Sequence, residues 1–348
     1  MSLKEHIRMK VLDNGPMPFD EFMAIALYHP EGFFGGETLR SEKAGDFLTS
    51  PEVSPLFGQA LAGYVAAEHR RIGDPFAIYE VGAGSGSLLR PLLDEHEVSA
   101  HAVEASSAAR RSLEATLPSD RIHESLQDVP EPLRGVVLAN ELIDNLPMAV
   151  AQRVDGQWRE RWVGVAGDDL VFVDAEPRRE VAEWLAAHGG DVANEGWVEA
   201  QLRAGDWLSE TIEALEAGSI VIIDYGDTAE GLLPRRADGT LRTYRAHHLG
   251  PHPLHEPGKT DITADVNFTA LQAVADRAGA KTRLVRQDDF LSELGLRDRL
   301  SELRYQELEA TRAGNDRERL TIRSTRTGVE TLLHPRGLGD FRVLVVMV

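Results

Sequence analysis

The chain predicts an α/β protein built on a mostly parallel sheet with helices on both faces. Three observations carry this. Residues 76–86, FAIYEVGAGSG, pass from an apolar run into a glycine turn, and Ser87, Leu88, Leu89 and Leu92 follow at helical spacing. Apolar strand-like runs then alternate with amphipathic helical stretches along most of the chain. The composition, 348 residues with 42% hydrophobic and 27% charged, suits one large globular domain or two smaller ones.

Taken in order, residues 4–12 and 18–28 predict helices, and 54–72 (SPLFGQALAGYVAAEHRRI) predicts a longer amphipathic one. Strands follow at 76–81, 100–104 and 135–140, with helices at 86–94 and 106–116. The rhythm breaks at 149–173, where VAQRV, WRERWVGV and DLVFV are separated by the turns DG and AGDD. That is a small antiparallel meander. Helices are expected at 177–187 and 198–217, then a strand at 219–226 (SIVIIDYG). A Gly/Pro/His-rich excursion over 227–262 precedes helix 267–278 and strand 281–286. Helices around 288–334 lead to a last strand, 341–348.

Composition narrows the function classes. Net charge is −20, from 57 acids against 37 bases. Such a balance repels a phosphate backbone, which argues against a nucleic-acid substrate. It suits a basic partner, although acidity also serves solubility. With no cysteine, disulfides, thiolate metal sites and cysteine nucleophiles are excluded. His247, His248, His252 and His255 lack the carboxylate spacing of a metal site, so no metal is expected. No run approaches the ~18 apolar residues of a membrane span. The start, MSLKEHIRMK, has neither a signal peptide's apolar core nor a transit peptide's charge pattern. The basic residues are nearly all arginine, which hints at a high-GC bacterial genome, and a bacterial cytoplasmic protein is the expectation.

The glycine turn sits where α/β sheets bind nucleotides. A dinucleotide fingerprint wants a third glycine where this chain has Ser87. The glycines instead read Gly82, Gly84, Gly86 after Glu80, and E-x-G-x-G-x-G resembles the first motif of class I S-adenosylmethionine-dependent methyltransferases. The next apolar run, AHAVEAS (100–106), carries Glu104, an acid placed to accept both hydroxyls of a ribose.

Several further segments resemble one family, the MidA-like methyltransferases, which include a mitochondrial assembly factor that methylates an arginine on a complex I subunit. They are ALYHPEGFFGG (26–36), GDFLTSPEVSPLFGQALA (45–62), NELIDNLPM (140–148), VIIDYG (221–226), the stretch 239–268 and GLGDFRVLVV (337–346). The resemblance covers almost the whole chain, and GDFLTSPEVS is its most specific piece. It implies a class I methyltransferase Rossmann-like sheet, mostly parallel with an antiparallel last strand. An N-terminal helical segment with a cofactor-covering loop (1–72) precedes a core (73–148 and 218–348). The core carries a substrate-side excursion (227–266) and an inserted meander with helices (149–217).

The resemblance also implies S-adenosyl-L-methionine as cofactor and S-adenosyl-L-homocysteine as product. Gly82, Gly84, Gly86, Ser87, Glu104, Ala105, Ser125, Leu126, Asn140, Thr49 and Ser50 are its candidate cofactor residues. At the fourth strand's end, Glu141 and Asp144 are candidates to bind a guanidinium in its fork geometry. Alternatively, Asp144 caps the following turn and Glu141 holds the cofactor. Asp224, Tyr225 and His247 are candidates for the acceptor side. The family's T-A-H-V-D-F reads Thr263, Ala264, Asp265, Val266, Asn267, Phe268 here, which leaves room for a different acceptor. The expected acceptor is an arginine on a protein partner. A small-molecule O- or N-acceptor, a non-catalytic assembly role and a homodimer stay open.

Overall fold

The computed structural model describes residues 2–36, 49–130, 132–245 and 248–348. Seven strands form the central sheet: β1 (Ala77–Val81), β2 (Ser99–Val103), β3 (Ile122–His123), β4 (Leu133–Asn140), β5 (Leu215–Asp224), β6 (Lys281–Arg286) and β7 (Arg342–Met347). Their order across the sheet is β3-β2-β1-β4-β5-β7-β6. The first five in that order pair in parallel, while β7 runs antiparallel to both β5 and β6. The expected antiparallel last strand is therefore present. The two-residue β3 was not anticipated, because so short a strand has no alternation to show.

Alternate residues of the central strands enter two cores, as expected for strands covered on both faces. Val136, Leu138, Val221 and Ile223 pack with Phe57, Leu61, Leu92 and Phe290 on one face. Val137, Ala139, Ile220 and Ile222 pack with Trp207, Leu208, Phe268 and Leu271 on the other. Close strand contact also decides where glycine is required. At Gly135, φ is +137°, and an added Cβ would lie 2.0 Å from the Ala77 carbonyl oxygen.

The meander forms as expected from Ala149–Val154, Gln157–Ala166 and Asp169–Ala175. Two unanticipated strands extend it. Met17–Pro18 pairs with Gln157–Ala166, and Trp197–Ala200 pairs with Ala149–Val154. Residues 198–200 therefore belong to a strand, and the helix expected from 198 runs only over Leu202–Ala214. Val198 and Ala200 are buried beneath helix Arg179–His188, and four paired residues outweigh the helical preference of the stretch. Helices Leu3–Asn14 and Phe19–Tyr28 seat Ile7, Phe22, Met23 and Leu27 against Val150, Val163 and Ile262. The excursion holds a three-stranded sheet of Arg242–Arg245, His248–Leu249 and Asp261–Thr263.

The carboxyl ends of β1, β2, β4 and β5 share one edge, because these strands are parallel. That edge gathers the glycine turn, Glu104, the 140–145 turn and Asp224–Tyr225. Ligands of open α/β sheets sit at such an edge.

Candidate active site

Two cavities adjoin at this edge. The first, of about 340 Å³, is lined by Gly82, Gly84, Ser87, Glu104, Ala105, Ser125, Leu126, Asn140, Glu141 and Thr49, among others. Nine of those ten were expected from the sequence as cofactor residues and the tenth, Glu141, as a catalytic one. Gln127, expected with Ser125 and Leu126 to frame an adenine, lies in the same wall.

The glycine turn makes this cavity possible. Gly82, Gly84 and Gly86 have φ of +73°, +52° and +78°, conformations that residues with a side chain rarely adopt. Gly82 and Gly84 line the cavity without a side chain to fill it. Gly86 does not line it: its missing Cβ faces Leu113 Cδ2 at 3.1 Å, so this glycine serves helix packing.

Glu104 is held before any ligand arrives. Its Oε2 accepts from the Gly84 amide at 2.9 Å and its Oε1 from the Ser106 amide at 2.7 Å. Burial nevertheless raises its carboxyl above the usual range. Glu80 lies behind it, and burial, with Glu104 adding repulsion, pushes that carboxyl well up. Glu80 Oε2 and Asn140 Oδ1 are buried atoms with no hydrogen-bond partner among the described residues. Both residues line the cavity, which also carries apolar surface from Leu126, Leu142 and Trp207. Unmet polar atoms beside apolar walls fit a nucleoside with a polar tail.

The second cavity, of about 890 Å³, is lined by Asp144, Tyr225, Arg235, Arg242, Asp261, Asp265 and residues of 327–341. Glu141 and Asn145 line both cavities. Glu141 adopts φ +51°, its amide donating to the Ile223 carbonyl at 2.8 Å. Its Oε1 accepts from the Ser50 amide at 3.2 Å and from Asn140 Nδ2 at 3.3 Å. Burial, then the charge of Asp144, push its carboxyl up to about 8. Asp144 is buried and its carboxyl is likewise raised by burial. Its Oδ2 accepts from Tyr225 at 2.5 Å and Thr263 at 2.6 Å, while Oδ1 has no partner among the described residues.

Besides Gly86, two expected residues sit elsewhere. Asp224 lines neither cavity. It is fully buried, accepting from the Ile143 amide at 3.0 Å, the Asp144 amide at 3.2 Å and the Tyr225 amide at 2.9 Å. It therefore caps the turn that carries Asp144, the part the sequence allowed for Asp144 itself. Ser50 is buried behind Glu141, with its hydroxyl near Gln287, and does not reach the first cavity. Thr49 does, while also starting the short helix Ser50–Val53 through a reciprocal bond with Glu52. His247 and residues 45–48 lie outside the described residues.

Sequence reasoning missed Tyr28, Phe34, Asn145 and Trp207 in the first cavity. Tyr28 and Phe34 fall in ALYHPEGFFGG, so that segment's specificity was a usable signal. Tyr28 donates to the Asn145 carbonyl at 3.1 Å, fixing the N-terminal region to the 143–145 turn. Trp207 gave no signal, because its helix reads as an ordinary amphipathic one.

Comparison with known proteins decides the family. Residues 60–285 match the model of the family described as "Putative S-adenosyl-L-methionine-dependent methyltransferase". The chain belongs to this family. A Drosophila melanogaster relative named protein arginine methyltransferase NDUFAF7 homolog, mitochondrial, is 32% identical over 80% of this chain and 71% of its own length. The human NDUFAF7 protein, also named as mitochondrial, is 28% identical over 96% of this chain and 80% of its own. A Burkholderia thailandensis crystal structure bound to S-adenosyl-homocysteine has 28% identity and a TM-score of 0.86, covering 99% of this chain and 92% of that one. This MidA-like methyltransferase is thus an S-adenosyl-L-methionine-dependent enzyme with the α/β fold expected of it. The expected cytoplasmic location does not stand, since the curated relatives are named as mitochondrial proteins.

Proposed function

We propose that this methyltransferase modifies an arginine guanidinium on a protein partner. The observation that carries the reading is the acidic junction of the two cavities. Glu141 borders both, and Asp144, which lines the second, has a buried oxygen with no partner among the described residues. The names of the Drosophila and human relatives support it.

In the first cavity, Glu104 would take the ribose hydroxyls on the lone pairs its two amide donors leave free. Gly82, Gly84, Ser87 and Asn140 would border the amino-acid end, and Ala105, Ser125, Leu126 and Gln127 the adenine. Thr49 would close the cavity from the N-terminal side. When bound, the cofactor supplies a methyl group on a sulfonium sulfur, displaced in line by a guanidinium nitrogen with S-adenosyl-L-homocysteine as leaving group.

The chain's own residues then have two tasks. Glu141 and Asp144 hold the cation in fork geometry, which localises charge away from the attacking nitrogen. That nitrogen must also shed a proton as its bond to carbon forms. Glu141, raised to about 8, is basic enough to receive it near neutral pH. Tyr225 and Thr263 orient Asp144, while Ser50 and Asp224 position Glu141 and the turn from behind.

The test is incubation with methyl-labelled S-adenosyl-L-methionine and lysate of the organism that makes the protein, followed by hydrolysis of the protein fraction. Label recovered as methylarginine is the expected result. Label confined to small molecules, to another amino acid or to no fraction overturns the reading.

A further inference from the structure

The second cavity carries charges of both signs. Glu141 and Asp144 form its end beside the cofactor cavity, and Arg235, Arg242 and Arg336 border it as well. Asp261, Asp265 and Glu330 line it too. Asp265, buried in this wall, receives Arg235 at 2.5 Å and also binds Arg242, so one carboxylate serves two guanidiniums. Asp227 stands 3.9 Å from Arg235 but is engaged by Arg342 at 2.9 Å. Glu330 also lines the cavity, yet its carboxylate is bound by Arg304 at 3.0 Å and Arg326 at 2.9 Å. Arg336 makes no ion pair among the described residues.

Resting on the arginine reading above, we infer that this cavity also selects an acidic group on the acceptor, a carboxylate near the target arginine, held by Arg242 and Arg336. The volume agrees, since about 890 Å³ is far more than one side chain fills and lies within the range of sites for larger ligands. Asp265 stands where the family pattern has histidine, and its place between Arg235 and Arg242 fixes both guanidiniums in the wall. A planar guanidinium anchored at one nitrogen keeps its other donors in a fixed fork, the geometry that suits a carboxylate. Phe341, stacked edge-on against Tyr225 at 5.5 Å, supplies apolar wall in the same cavity.

The experiment uses the full chain and synthetic peptides, each with one arginine in a Gly/Ser background and either Glu or Lys at one neighbouring position. Methyl transfer is read as kcat/KM. At one or two positions, Glu should exceed Lys by about tenfold or more, the worth of one charge-assisted contact. Arg242→Gln and Arg336→Gln should each shrink that ratio, and Arg336→Glu should invert it toward Lys. Calorimetric binding of S-adenosyl-L-methionine reports that each variant is folded. Equal use of Glu and Lys peptides by the wild type, or an unchanged ratio in a folded Arg336→Glu, overturns the inference alone. Failure to methylate any arginine peptide overturns the arginine reading and this inference with it.

Discussion

The two cavities at the sheet edge differ in how their charges are settled. In the first, Glu104 meets two backbone amides that need no ligand to be in place. In the second, Asp144 uses one oxygen on Tyr225 and Thr263 and leaves the other buried without a partner. Glu141, between them, is raised to about 8 because burial and a neighbouring carboxylate both disfavour its charge. On the proposed reading, the cofactor side is organised in advance, and the acceptor side carries acidity that an incoming cation would settle. A buried carboxylate cluster disfavours its own ionisation, so its place where the two cavities meet argues for use rather than stability.

The largest effect that would break this contrast is at Gly84. A valine there would force a β-branched side chain to φ +52° and crowd the bared backbone. Gly84→Val should abolish detectable binding of S-adenosyl-L-methionine in calorimetry while far-UV circular dichroism keeps its α/β signature. Binding at wild-type affinity would remove the glycine turn from the cofactor site.

A smaller loss is expected at Glu104. Glu104→Ala removes a carboxylate contact to two hydroxyls and should weaken cofactor affinity about ten- to a hundredfold, or ~1.5–3 kcal/mol. A change below threefold, measured by titration, would place the ribose contact elsewhere.

The mildest effect is the pH dependence. With the Glu141 carboxyl at about 8, the free enzyme is mostly protonated there at pH 7 and loses that proton as pH rises. The kcat/KM profile should therefore climb through roughly pH 7–8.5 and flatten above, as it reports free-enzyme ionisations. The apparent value belongs to the Glu141–Asp144 pair. Glu141→Gln should remove the climb along with most of the rate. A flat profile in the wild type would take proton acceptance away from this pair.

The same contrast explains what was legible in the sequence. The first cavity is written mostly in contiguous stretches, a glycine turn after β1 and an acid after β2, each tied to a strand end, so its lining residues were readable together. The acceptor side joins the 140–145 turn, strand Asp261–Thr263, Arg235, Arg242 and the stretch 327–341, which lie far apart along the chain. No local pattern announces such a meeting. Asp224 shows the limit at one residue. Its place at a strand end was correct, but the direction of its carboxylate was set by the amides of Ile143 and Asp144, whose positions a sequence does not display. Asn267 shows another side of it. Its departure from the family pattern suggested an altered pocket, yet its side chain caps helix Phe268–Arg277 by accepting from the Ala270 amide at 3.2 Å. Asp265, two residues earlier, is the departure that lines the cavity.

The most direct test of two adjoining sites is Asp144→Asn, which keeps the side chain's size at a residue that lines the second cavity and not the first. Cofactor affinity and methyl transfer should be measured on the same preparation. Calorimetry should give a dissociation constant within threefold of wild type, while transfer falls about a hundredfold or more, the scale of losing a positioned charge at a reacting group. Transfer at the wild-type rate, or cofactor binding lost in step with it, would contradict the account.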